Sequence, residues 1–347
     1  MSLSRRTVLA AASGLAVTAC TTAPEAAAPE STMSYPAIGR IRRLDPALDA
    51  IIAPGAVVEQ LADGFSWSEG PVWVHDGDYL LFSDVPENRI HRWSEADGLS
   101  LFMSPSGWAG APDPGLREGG SNGLFPAGRG AILMADSGTR AVSRLTLATK
   151  AKTVLAERYR GKRFNSPNDV VLSKTGAVFF TDPPYGLKDD DRSPVKELAF
   201  NGVYRIAPDG GVTLLDDSLT RPNGVALSPD ERTLYVAVSD PAAAILYAYD
   251  VDTAGAVSNR RVLSDMTAQV GDANPGLPDG MKVAHDGMLF ASGPGGIHVI
   301  TPQGRTLGVV ETGGPIANCA FGGPRGDMLY MTSGNRIARV KTLTRGL

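Results

Sequence analysis

The sequence predicts an all-β fold, a six-bladed β-propeller of four-stranded blades whose ring is closed by an N-terminal strand. Three observations carry that reading. One phrase recurs six times, at intervals of 53, 46, 55, 56 and 39 residues, which is the period of propeller blades. The 40 Gly and 25 Pro residues, set against 7% aromatic residues, supply many turns and short elements and disfavour long helices. A spare strand, AVVEQLADG at 56–64, precedes the first phrase, while the last unit stops after its third strand, NRIARVKTL. Pairing the two would close the ring and remove both sheet edges.

In chain order, the first element is an address. MSLSRRTVLAAASGLAVTAC joins a twin Arg (Arg5, Arg6) to an uncharged apolar run ending at Cys20. The run is too short to span a bilayer, so residues 1–19 read as a signal peptide of the twin-arginine type. The tetrad Val17-Thr18-Ala19-Cys20 resembles a lipoprotein cleavage box, which implies a lipid anchor on Cys20 and an exported protein on the periplasmic side of a bacterial membrane. Residues 20–50, Ala/Pro-rich and without period at their start, read as a flexible tether, and 51–347 as the propeller.

Within the propeller the six phrases open at Glu69, Asn122, Asn168, Asn223, Asp279 and Asn318. Each begins with an acid or amide, usually followed by Gly, and runs through a short apolar strand and a turn. A second apolar strand then ends in Ser, Thr, Asp or Gly. A further hairpin follows, as in GVYRIAPDGGVTLLDD, where Asp209-Gly210 separates two β-rich runs. The strands are apolar at nearly every position, as sheets covered on both faces by neighbouring blades require.

Equivalent residues of a propeller share one radius and height, so the six anchors should converge on one mouth of the central channel. Polar groups there must hold water, an ion or a ligand. Two carboxylates (Glu69, Asp279) and two amide oxygens (Asn168, Asn223), with no Cys or His, describe a site for a hard divalent cation such as Ca²⁺. Taken singly, each Asn-Gly or Asp-Gly reads as a turn dipeptide between blades; six in register favour the site. Asn122 and Asn318 read as strand caps or ligand contacts.

Other chemistries find no support. The net charge is −4 without any Lys/Arg cluster, which argues against a nucleic-acid partner. Cys20 and Cys319 cannot form a disulfide framework, and His75, His91, His285 and His298 have no zinc-ligand spacing. There is no GxSxG elbow.

The strings SEGPVW (68–73), NSPNDVVLSKTGAVFFTDPPYG (165–186), RPNGVALSPDERTLYV (221–236), PDGMKV (278–283) and NCAFGG (318–323) resemble the SMP-30/gluconolactonase family, over about 65–340. The resemblance implies a six-bladed propeller with one divalent cation, commonly Ca²⁺ and in some members Zn²⁺, that hydrolyses sugar lactones. It carries the metal ligands over to Glu69, Asn223 and Asp279, with Asn168 a fourth ligand or a substrate contact. Arg163-Phe164-Asn165 resembles a substrate-binding run, although Ser166-Pro167 is inserted before Asn168-Asp169.

A lactone carbonyl polarised by a cation needs only a carboxylate to activate water. Asp279 is the first choice for that base; Asp169 is the reserve, or else a structural acceptor. Asn122, Asn168, Arg163 and Tyr185 are the candidate substrate contacts. Asp84 and Asp182 read as strand-end turn formers, Asp189–Asp191 as solvated surface, Trp67 as blade packing and Cys319 as a small buried residue. A related metal-dependent ester or phosphotriester hydrolase and a noncatalytic binding propeller are the alternative functions.

Overall fold

The structure, a computed structural model, describes Met1 and residues 34–347; the signal segment and Cys20 lie outside the described residues. Six antiparallel sheets surround one axis. Their first strands, Ser68–Val74, Leu124–Pro126, Val170–Leu172, Pro222–Leu227, Met281–Val283 and Asn318–Gly322, follow one another around the ring, and the sixth packs back against the first. Second strands such as Ala131–Asp136 and Val178–Asp182 are buried along their whole length, because adjacent blades cover both faces. Outermost strands such as Val257–Asp265 carry polar residues to solvent.

The ring closes as the sequence predicts. Val58–Asp63 pairs with Arg336–Lys341, in register Val58↔Val340 to Asp63↔Arg336, and completes the sixth blade with a strand from the other end of the chain. Aromatic contacts reinforce the seams. Trp73 of the first blade stacks on Tyr330 of the sixth at 5.1 Å between centroids, and Phe290 of the fifth meets Phe321 of the sixth edge-on at 5.0 Å. Such pairs add roughly 0.5–1.5 kcal/mol each beyond burial.

Two features were not legible in the sequence. Arg40–Arg43 pairs with Thr306–Glu311 as a fifth strand on the fifth blade, where Glu311 holds both Arg40 (2.6 Å) and Arg42 (2.9 Å). The folded body therefore begins at Tyr35, inside the stretch read as tether. A small hairpin, Arg158–Tyr159 with Lys162–Arg163, stands between the second and third blades.

The glycines of the repeated phrase correct the turn-dipeptide reading. Gly224 lies in a strand, where a Cβ would stand 2.1 Å from the carbonyl oxygen of Asp279, the anchor of the next blade. Gly70 repeats this against Asn122 O at 2.1 Å, and at φ +49° besides. These positions are glycine so that successive anchors can approach closely enough to share one axial space. Gly224→Ala is therefore expected to destabilise the fold by about 1–3 kcal/mol, the usual cost of overpacking. Thermal unfolding checks it, and a melting temperature equal to the wild type would contradict the close approach.

Candidate active site

The innermost strands carry the anchors, and the second strands hold them in place. The Asp84 carboxylate, at the end of Tyr79–Asp84, accepts the backbone N–H groups of Ser66 (3.1 Å) and Trp67 (3.0 Å), just ahead of Glu69. Asp182 does the same for Asn165 and Ser166 (both 2.8 Å), just ahead of Asn168. Both acids thus bracket the loop entering an anchor strand, beyond forming a strand-end turn. A hydroxyl near the end of a second strand latches an anchor, that of the next blade for Ser83 and Thr181 and that of its own blade for Thr332 and Ser292. Ser83 donates to Asn122 O (2.9 Å), Thr181 to Asn223 O (2.5 Å) and Thr332 to Asn318 O (3.2 Å), while Ser292 accepts the N–H of Asp279 (2.9 Å). The sequence signal for this scaffold is the Ser/Thr-Asp or Ser-Gly ending of four of the six second strands.

Six of the candidate residues come together. Glu69, Asn122, Asn168, Asn223, Asp279 and Tyr185 line one open cavity of about 1230 Å³ at a mouth of the channel. Glu69 is 2% exposed and Asn223 4%, so both are almost enclosed by protein. Asn223 Nδ2 donates to Ser239 Oγ (2.9 Å), which turns its Oδ1 away from that partner. Three buried oxygens, Asn122 Oδ1, Asn223 Oδ1 and Asp279 Oδ1, have no hydrogen-bond donor. Buried acceptors are rarely left so.

Electrostatics sharpen the picture. Burial raises the carboxyls of both Glu69 and Asp279, and each is pushed further by neighbouring acids, Asp169 beside Glu69 and both Glu69 and Asp169 beside Asp279. Lys282 opposes the rise at Glu69 and at Asp169. This is the signature of acids gathered without enough positive charge. A divalent cation fits it: unpaired amide and carboxylate oxygens, with no thiol or imidazole, match a hard cation's preference for oxygen ligands. Among the described residues no three His, Cys, Asp or Glu side chains are placed to hold one metal ion, so amide oxygens must contribute to any such donor set.

Two candidates lie apart. Asp169 is buried behind the cavity, where its Oδ1 accepts the N–H of Val170 (2.9 Å) and its Oδ2 that of Val225 (3.2 Å) on the next blade. Its place fits a structural acceptor tying two blades, not a base in contact with substrate. Arg163 sits on the outer hairpin and donates to Thr139 O (2.9 Å), off the cavity. Phe164 and Asn165 behind it are fully buried, held by the Arg140 guanidinium and by Asp182. That packing keeps the run inside the blade.

The rim holds residues that sequence reasoning missed. Segment 115–118 lies against 186–188 from a different blade connection, through the Leu116↔Leu187 bridge and the N–H of Arg117 on Gly186 O (2.9 Å). This arch brings Arg117 and Glu118 to the cavity. Burial pushes the Glu118 carboxyl up to about 7, with Asp190 adding to the rise and Arg117 opposing it. Asp190 pairs with Arg117 (2.9 Å) and Arg221 (3.8 Å), and Asp191 with Arg221 (3.8 Å), so the acidic run is an ion-paired rim and not merely solvated surface. The Arg221 guanidinium stands 5.4 Å from the centre of the Tyr185 ring. Burial and the charge of Asp279 push the Tyr185 phenol up to about 12, so it remains a hydrogen-bond donor at neutral pH. Trp67, expected in blade packing, lines the same cavity. Cys319 is buried as expected, and burial raises its thiol to about 12.

A family model described as the SMP-30/Gluconolactonase/LRE-like region matches residues 67–335. The chain is 44% identical over 352 residues to a gluconolactonase of Zymomonas mobilis subsp. mobilis, covering 99% of both chains. Among solved structures it is similar to a gluconolactonase from Xanthomonas campestris, with TM-score 0.74 and 30% identity over 90% of this chain and 99% of that one. It also shares the fold of regucalcin, a calcium-binding protein of Agrobacterium tumefaciens, at TM-score 0.65 and 19% identity over 83% of this chain and 94% of that one.

Proposed function

The chain belongs to the SMP-30/gluconolactonase/LRE-like family, and from that premise we propose that it hydrolyses sugar lactones of the gluconolactone type at the axial cavity, with one divalent cation as cofactor. The observation that carries the reading is the set of buried oxygens without donors, Asn122 Oδ1, Asn223 Oδ1 and Asp279 Oδ1, beside the Glu69 carboxyl. Glu69, Asn223 and Asp279 would hold the cation, with Asn168 as a fourth ligand or a substrate contact. The all-oxygen set favours Ca²⁺ over Zn²⁺. When bound, the cation supplies Lewis-acid polarisation of an ester carbonyl.

The remaining chemistry falls to side chains. Asp279 has one oxygen without a hydrogen-bond donor and a carboxyl raised by burial, and it is the proposed base that takes a proton from the attacking water. Asn122 and the Tyr185 phenol present hydrogen-bonding groups to the hydroxyls of a sugar-like ring. Tyr185 also supplies an apolar ring face on which such a ring can stack. No Ser or Cys nucleophile is needed, in keeping with the thiol of Cys319 being buried and raised.

The test is a pH-stat assay of δ-gluconolactone opening by the full chain with Ca²⁺, beside other aldonolactones, an aryl ester and a phosphotriester. Faster opening of aldonolactones than of the other substrates is expected. Preference for the phosphotriester would transfer the site to the related hydrolase class, and inertness toward every substrate would leave a binding propeller.

A further inference from the structure

Asn318 packs beside Glu69 at the axis, and its amide is fixed from several sides. Its Oδ1 accepts the N–H of Cys319 (2.9 Å) and the Lys282 ammonium (3.3 Å), and its Nδ2 donates to Glu69 Oε2 (3.3 Å). A flipped amide would set its NH₂ against both an N–H and an ammonium, so only one orientation satisfies all three contacts. Gly280 makes room for it: a Cβ there would lie 1.9 Å from Asn318 Cγ. Lys282 Nζ is itself held by Met281 O (3.0 Å).

At the receiving end, Glu69 Oε2 also accepts the N–H of Gly70 (2.7 Å). Two donors therefore occupy Oε2, and Oε1 is the oxygen left for the cavity that Glu69 lines. We propose that Lys282 and Asn318 form a positioning relay that locks the Glu69 carboxylate with Oε1 turned to the cavity, so that cation affinity depends on two residues that themselves make no contact with the cation. Partners of this kind, which orient a ligand without touching the metal, are worth about 10–100-fold in affinity. The inference rests on the cation-dependent reading above.

The experiment is calorimetric titration of the full chain with CaCl₂, for wild type, Lys282→Met, Asn318→Ala and the double variant, with melting temperatures taken in EDTA. Each single variant is expected to raise Kd about 10–100-fold. The double variant should lose no more than the worse single one, because both act through one hydrogen bond to Glu69. Excess CaCl₂ should restore lactone turnover in the single variants with the lactone KM unchanged, which a general loss of structure would not allow. Lys282→Gln keeps a donor for Asn318 Oδ1; it should lose less affinity than Lys282→Met and serves if the latter unfolds in EDTA. Wild-type Kd values in the variants, or fully additive losses, would overturn the relay while leaving the cation reading intact. Absence of binding by the wild type would overturn both, and is seen before any variant is compared.

Discussion

Asp279→Asn is expected to lower kcat/KM for δ-gluconolactone by about 10³-fold or more, and Glu69→Gln by a comparable factor through lost cation affinity. The two losses have different origins, and cation titration separates them. Asp279 is asked to do two things, to hold the cation with one oxygen and to take a proton from water with the carboxylate it keeps. General-base assistance alone is worth roughly 10²–10⁴-fold. The amide of Asn keeps the size and one acceptor oxygen but cannot take the proton, so saturating Ca²⁺ should leave the Asp279→Asn defect in kcat largely uncorrected. Glu69 has no proposed part in proton transfer, and its variant should recover as Ca²⁺ is raised. Asp279→Asn retaining wild-type turnover at saturating Ca²⁺ would remove Asp279 as the base. Asp169→Asn provides the contrast. Because its carboxylate accepts N–H groups on two blades, its main effect should fall on melting temperature.

Chelation should abolish activity and lower the melting temperature, and the lowering should depend on pH. In the cation-free protein the Glu69 and Asp279 carboxyls are both raised by burial and by neighbouring acids. A raised carboxyl contributes stability that is complete below its unfolded value, about 4, and is lost as pH climbs through the raised folded value. A bound cation pairs the ionised acids and cancels that loss. Stabilisation by Ca²⁺ should therefore be small near pH 4 and grow toward pH 8, reaching about 2.7 kcal/mol, or roughly 5 °C, at a free concentration 100 times Kd. Differential scanning calorimetry at fixed Ca²⁺ across pH 4–8 reads this directly. A Ca²⁺-induced shift that is constant with pH, or absent, would mean that the raised acids are not the cation's ligands.

Much of this site could be read in advance because a propeller converts repetition into convergence. Six phrases spaced along the chain identify Glu69, Asn122, Asn168, Asn223, Asp279 and Asn318 as equivalents, and equivalence gathers them around one axis before any coordinate is known. Arg163 stands off the cavity for the converse reason. It belongs to no repeat, and its string resembles a binding run, yet Ser166-Pro167 and the Asp182 bracket keep Phe164 and Asn165 inside the blade. The rim was invisible for a related reason. Arg117 and Glu118 reach the cavity because one loop pairs with a loop of another blade at Leu116↔Leu187, a contact with no period to announce it.

From the sequence alone came the blade number, the strand that closes the ring and the anchor residues, all of which follow from local period and from chemistry repeated in register. Tertiary structure decided that oxygens of Asn122, Asn223 and Asp279 stay unpaired, that the glycines beside the anchors serve close approach instead of turns, and that Lys282 reaches Glu69 through Asn318. Those outcomes depend on hydrogen-bond partners and clearances of a few ångströms between residues far apart in the chain, such as Glu69 and Asn318. A repeat specifies where such residues meet; only packing specifies how they face one another.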